Sequence, residues 1–113
     1  SIQRIDRVYR RHPERFIQRV FTAREREAIF KRTSPATAIA SRFAAKEAVL
    51  KAIGCGIGPA GLAEVEVVSS PGVQPKVRLH GQAALQAQLR GITGLEISLT
   101  HDPPFACAVA VAY

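Results

Sequence analysis

Arg42-Phe43-Ala44-Ala45-Lys46-Glu47-Ala48-Val49-Leu50-Lys51-Ala52, closed by Ile53-Gly54-Cys55-Gly56-Ile57-Gly58, is the stretch on which the organisation of the chain turns. At helical spacing Ala44, Ala48 and Ala52 form an i, i+4 ridge small enough for another element to pack closely, with Val49 and Ile53 beside it. One arc of this helix is therefore expected to be buried. Arg42, Lys46, Glu47 and Lys51 fall on the other arc, with Phe43 and Leu50 among them, where a plain solvated face is polar. That mixture predicts the rim of a site. Glu47 and Lys51 are also an i, i+4 pair in the favourable order, which stabilises a helix by about 0.2–0.5 kcal/mol with no function attached. Spacing alone does not separate the two readings.

Working outward, Ser34-Pro35 supplies an N-cap and a first-turn proline for a long helix that ends at Gly54. Upstream, Thr22-Ala23-Arg24-Glu25 has capping-box form and starts a helix running to about Arg32. Pro13 opens a short turn carrying Phe16, Ile17 and Val20, and before His12-Pro13 the residues Ile2, Ile5, Val8 and Tyr9 lie at helical spacing. Downstream, Val65 and Val67 and then Val77 and Leu79 alternate around a turn from Ser69 to Pro75. Gly81 to Leu89 has a short helical pattern, and Leu95, Ile97, Leu99 and Phe105 to Val111 supply two more strands. The pattern predicts an α+β fold with helices packed on one face of a small antiparallel sheet.

At 113 residues the chain is expected to form one domain spanning 1–113. Its longest apolar run, Phe105 to Tyr113, is too short to span a bilayer, and no secretory leader opens it, so a soluble, cytoplasmic protein without a membrane partner is expected. Cys55 and Cys107 form neither a metal cluster nor a disulfide framework and read as small buried thiols. Sixteen Lys and Arg against nine acids give a formal charge of +7. The excess is concentrated early, at Arg4, Arg7, Arg10, Arg11, Arg15, Arg19, Arg24, Arg26, Lys31 and Arg32. An acidic partner follows. Nucleic acid is disfavoured, because the chain has no Trp and only two Tyr to stack on bases, and shows no zinc spacing or strong recognition helix.

Arg-Phe-Ala-Ala-Lys-Glu-Ala, followed by Lys51 and the Gly-x-Gly-Ile-Gly loop, resembles the signature of the phosphopantetheinyl transferases, in particular their short holo-(acyl carrier protein) synthase class. Ile97-Ser98-Leu99-Thr100-His101-Asp102 and the apolar run after it are similar to that class's Ser-x-Ser/Thr-His segment and last strand. The resemblance extends over nearly the whole chain, through Arg15-Phe16 and Phe21-Thr22 to Glu25. It implies transfer of phosphopantetheine from coenzyme A to a serine of apo-acyl carrier protein, with magnesium, releasing adenosine bisphosphate, in fatty acid biosynthesis.

The resemblance also assigns roles. Glu47 becomes the magnesium ligand and Lys51 the cation at the leaving phosphate. Lys46 and Arg42 are set to grip the pyrophosphate or the ribose phosphate, and Gly54, Gly56 and Gly58 to let the backbone approach the nucleotide. His101 faces the ligand from a strand end, whereas His12 and His80 read as surface residues. Arg4 and Arg15, with Val8 and Phe16, match positions that bind the carrier protein. A homotrimer with sites between subunits is implied. In these enzymes an opening strand ends in Gly-x-Asp, a second magnesium carboxylate. Matching Ile2-Gln3-Arg4-Ile5 places that Asp before Ser1, so the N-terminal strand is expected to be missing, and Asp6 reads as a solvated carboxylate. Two alternatives follow: a catalytically impaired module binding coenzyme A or carrier protein, and a small basic nucleic-acid-binding domain.

Overall fold

Two helix starts read from the sequence are built in different ways. The computed structural model describes residues 10–11, 13–55, 59–70, 72–102 and 105–113. Its elements are α1 (Pro13–Val20), α2 (Ala23–Phe30), α3 (Pro35–Ile53), α4 (Pro59–Ala63), β1 (Val65–Ser70), β2 (Val73–Leu79), α5 (Gly81–Leu89), β3 (Leu95–Asp102) and β4 (Phe105–Ala112). Thr22 caps α2 with a complete capping box: its Oγ1 accepts from the Glu25 amide at 3.2 Å, and Glu25 Oε1 accepts from the Thr22 amide at 3.0 Å. Ser34 makes no such bond to the backbone of α3. Its hydroxyl lies 3.0 Å from that of Thr37, and the entry is set by Pro35 in the first turn.

Gly54 closes α3 in the left-handed region at φ 85°, and its amide donates to Leu50 O at 2.9 Å. The short helix α4 has no counterpart in the sequence expectation, since five residues carry no legible period. The segment Ile2 to Tyr9 lies outside the described residues.

Antiparallel pairing joins β1 to β2, with Val65 opposite Leu79 and Val67 opposite Val77, and a register shift between Val68 and Ser70. It joins β3 to β4, with Ile97 opposite Ala110 and His101 opposite Ala106. The small sheet is thus two two-stranded ladders, with β2 running beside β3. Along α3 pack β4, β3 and β1, which makes that helix the central strut.

The buried arc of α3 differs from the expected alanine ridge. Ala44 and Ala48 are half-buried and Ala52 is exposed, while Ile39, Ala45, Val49, Leu50 and Ile53 enter the core with Val65, Val67 and Ile97. Burial stabilises in proportion to apolar area, at about 25 cal/mol per Å², so the larger side chains take the interior and these alanines its flank. Strand β4 alternates: Ala106, Ala108 and Ala110 are half-buried, whereas Cys107, Val109 and Val111 face outward and are exposed. Cys107 is therefore an exposed thiol, not the buried one expected, because the strand's period of two puts it on the outer face; Cys55 is half-buried. Among the described residues no helix is long and apolar enough to cross a membrane.

Candidate active site

The four charged residues of α3 do not share one face. Glu47 is half-buried and Lys51 exposed, four residues apart on the same side of the helix. They do not form the i, i+4 ion pair that spacing allowed, and neither side chain has a hydrogen bond or ion pair with another described residue. A carboxylate and an ammonium are left free one turn apart, with the C-cap Gly54 one turn beyond Lys51.

Lys46 is placed quite differently. It has no exposed surface, and its Nζ donates to Glu25 Oε1 at 2.6 Å, Val65 O at 2.6 Å and Leu62 O at 2.8 Å. Those three acceptors use all the donors of an ammonium, and the Phe21 ring lies 5.2 Å away. The expectation that Lys46 grips a phosphate is corrected accordingly: its charge is turned into the core and spent on Glu25. Burial lowers its pKa below the usual lysine value, against the raising effect of Glu25.

Glu25 itself is fully buried, and its Oε2 accepts from the Val67 amide at 2.9 Å. Beside it, Glu66 Oε2 accepts from Thr22 Oγ1 at 2.5 Å, and Glu66 Oε1 lies 3.2 Å from His80 Nε2. Desolvation acts to raise the Glu66 pKa, but the hydrogen bonds from Thr22 and His80 and the charges of His80 and Arg24 leave it lowered. His80, taken from sequence as a plain surface residue, is exposed on one side and tied to this carboxylate on the other.

Arg42 is also buried, at 4% exposure. One terminal nitrogen donates to Ser69 Oγ at 2.6 Å, while Nε has no partner. Burial, followed by the nearby Arg32 charge, lowers its pKa, with Glu25 opposing. Ser69 opens onto a groove of about 480 Å³ between α2 and β1, lined also by Arg24, Lys31, Arg32 and Glu27. Three cations and one carboxylate at its wall, with Arg42 behind, make it an anion-attracting cleft.

Gly54 needs its missing side chain: its φ of 85° strains any L residue, and a Cβ there would meet the guanidinium of Arg90. Sequence inspection did not single out Arg90, which approaches α3 only through the chain's return at the end of α5. Gly56 and Gly58 lie outside the described residues, as do Arg4, Val8 and the His101 side chain; the backbone of His101 runs in β3. Arg15 is exposed on α1. Phe16 is half-buried there, stacked on Phe43 at 6.2 Å between centroids and edge-on to Phe21 at 6.1 Å. The α1 surface thereby touches α3 one turn before Glu47.

Among the described residues no three His, Cys, Asp or Glu side chains come together as a ready-made metal cage. Magnesium is commonly held by one or two carboxylates together with substrate phosphates and water, so a lone carboxylate such as Glu47 is a donor of the type it takes.

The chain matches the 4'-phosphopantetheinyl transferase superfamily over residues 1–110. It is 40% identical over 111 residues to the holo-[acyl-carrier-protein] synthase of Moorella thermoacetica, covering 98% of this chain and 86% of that protein. In structure it is similar to the holo-[acyl-carrier-protein] synthase of Helicobacter pylori solved in complex with coenzyme A, with a TM-score of 0.83 and 30% identity over 100% of this chain and 94% of that one. The Neisseria meningitidis holo-[acyl-carrier-protein] synthase aligns with a TM-score of 0.87 and 28% identity, covering 100% and 91% of the two chains. Matched by the superfamily's model over residues 1–110, and covering 86% and 94% of the Moorella and Helicobacter synthases, this chain belongs to the 4'-phosphopantetheinyl transferase superfamily, in its holo-[acyl-carrier-protein] synthase class.

Proposed function

We propose that this protein transfers phosphopantetheine from coenzyme A to a serine of apo-acyl carrier protein. The observation that carries the reading is the free Glu47 carboxylate with Lys51 on the same face of α3, one turn from Gly54, in a member of this superfamily. The carrier hydroxyl attacks the phosphorus that bears pantetheine. A new O–P bond forms, the hydroxyl proton passes to water, the pyrophosphate bond breaks, and adenosine 3',5'-bisphosphate leaves with the electron pair.

Glu47 is the residue that would hold magnesium. When bound, that ion supplies neutralisation of the charge on the pyrophosphate oxygens. Lys51, exposed one turn on, is placed to stabilise the departing phosphate. Arg42 is better suited to the ribose phosphate than to the reacting centre, because it opens through Ser69 on the basic groove of Arg24, Lys31 and Arg32. Gly54 lets the backbone approach the nucleotide, and Gly56 and His101 are assigned to nucleotide binding with it. Arg15 and Phe16, together with Arg4 and Val8, take the acidic carrier.

Incubating apo-acyl carrier protein with coenzyme A, magnesium and this chain should add the phosphopantetheine mass to the carrier, and omission of magnesium should abolish the gain. An unchanged carrier mass with every carrier tried would overturn the reading.

We further propose a cytoplasmic homotrimer with sites between subunits. Val109, Val111 and Tyr113, 63%, 53% and 61% exposed, form an apolar outer edge that a second copy would cover. Sedimentation velocity should give three copies, and Val111→Asp should shift the mass toward one; a parent chain that sediments as a single copy would remove this proposal.

A further inference from the structure

We propose that Glu25 is a positioning residue for the transfer reaction, acting through Lys46 to set where α3 presents Glu47. The inference rests on the reading of Glu47 as the magnesium-holding residue. Glu25 has no exposed surface, and its two oxygens join three elements. Oε1 accepts from the Thr22 amide at the start of α2 and from Lys46 Nζ in the middle of α3, while Oε2 accepts from the Val67 amide in β1. Lys46 extends the tie to Leu62 O in α4 and Val65 O in β1.

Lys46 and Glu47 are consecutive, so the placement of one dictates that of the other. A helix that slips by one residue moves about 1.5 Å and turns about 100°. A full slip would unpack the buried arc of α3, but hydrophobic attraction is non-directional and leaves smaller shifts and rotations of the helix less sharply defined. Charge-assisted hydrogen bonds are directional, and Lys46 makes three bonds to fixed oxygens of three other elements. Stability by itself gives no reason for the pair, since a buried ion pair often does no better than apolar residues of the same volume. Geometry does give one: a displacement of about 1 Å at a reacting centre can cost roughly a hundredfold in rate.

The test compares the parent chain with Glu25→Gln, Glu25→Asp and the double variant Glu25→Gln with Lys46→Met. All are assayed well below each protein's measured Tm. The readouts are kcat, KM for apo-acyl carrier protein, and calorimetric affinity for coenzyme A with magnesium. Glutamine must point an NH₂ group at Lys46 or at the Val67 amide, so the tie breaks. The expected result is a kcat lower by about ten- to a hundredfold, weaker coenzyme A binding, and an unchanged KM for the carrier, neither of whose assigned residues among those described, Arg15 and Phe16, hydrogen-bonds to Glu25 or Lys46. Glu25→Asp should recover part of the loss.

If Glu25→Gln alone does not fold, the double variant, without either buried charge, should fold and show the same fall in kcat. Parental kcat and coenzyme A affinity in any folded variant lacking the Glu25 carboxylate would overturn the inference. A parent chain that neither binds coenzyme A nor modifies the carrier would overturn the functional reading itself and this inference with it.

Discussion

Glu47→Gln is expected to lower phosphopantetheine transfer by about a thousandfold while leaving Tm close to that of the parent. The magnitude follows from what a metal-held charge at a phosphoryl centre contributes. Several kcal/mol of transition-state stabilisation are involved, and each 1.4 kcal/mol or so is tenfold in rate. The small effect on Tm follows from the structure, in which the Glu47 side chain makes no hydrogen bond or ion pair with a described residue whose loss would be felt on folding. Single-turnover mass spectrometry of the carrier, beside a thermal melt, reads both quantities. Turnover within a few-fold of the parent would show that Glu47 does not hold the reaction's metal.

The second large effect is on stability. Lys46→Ala should lower the unfolding free energy by about 3–5 kcal/mol, because it leaves the Glu25 carboxylate buried without its countercharge and opens space beside Phe21. For a domain of this size that is a fall in Tm of more than about 10 °C. Lys46→Met, which keeps the volume, should cost less than Ala. Lys51→Ala, removing an exposed and unpaired ammonium four residues along, should leave Tm almost unchanged. A Lys46→Ala melt within a few degrees of the parent would mean that the pair contributes little and that water solvates Glu25 in its place.

These two predictions separate adjacent residues of one motif, Lys46 for the fold and Glu47 for the reaction. Periodicity made the helix legible but not the division of labour along it. The alanines and charges of 42–52 mark a helix, yet their spacing puts the buried arc on Ala44, Ala48 and Ala52. That placement treated every charge as an outward one. Arg42 and Lys46 are turned inward because Ser69 in one case, and Glu25 with two carbonyls in the other, wait there. Those partners lie between 16 and 27 residues away in the chain. No local pattern names them.

The Thr22–Glu25 box shows the same limit from the other side. Its sequence announces a helix start, which forms as expected. Nothing in Thr-x-x-Glu indicates that the same carboxylate also receives a lysine and a strand amide. Likewise, alternation foretold β4 as a strand but did not say which side would face the helix, and so the exposure of Cys107 went unread.

By itself, then, the sequence determined the element order of the described residues apart from α4, the α+β class, the strong positive charge and the superfamily, because these depend on short-range periodicity, capping and motif identity. Only the tertiary structure decided which charges are buried and which are free, where the basic groove lies, and that Arg90 stands over Gly54. The physical reason is that the cost of burying a charge is set by its partners, and in this chain the partners are brought together by the packing of α2, α3 and β1.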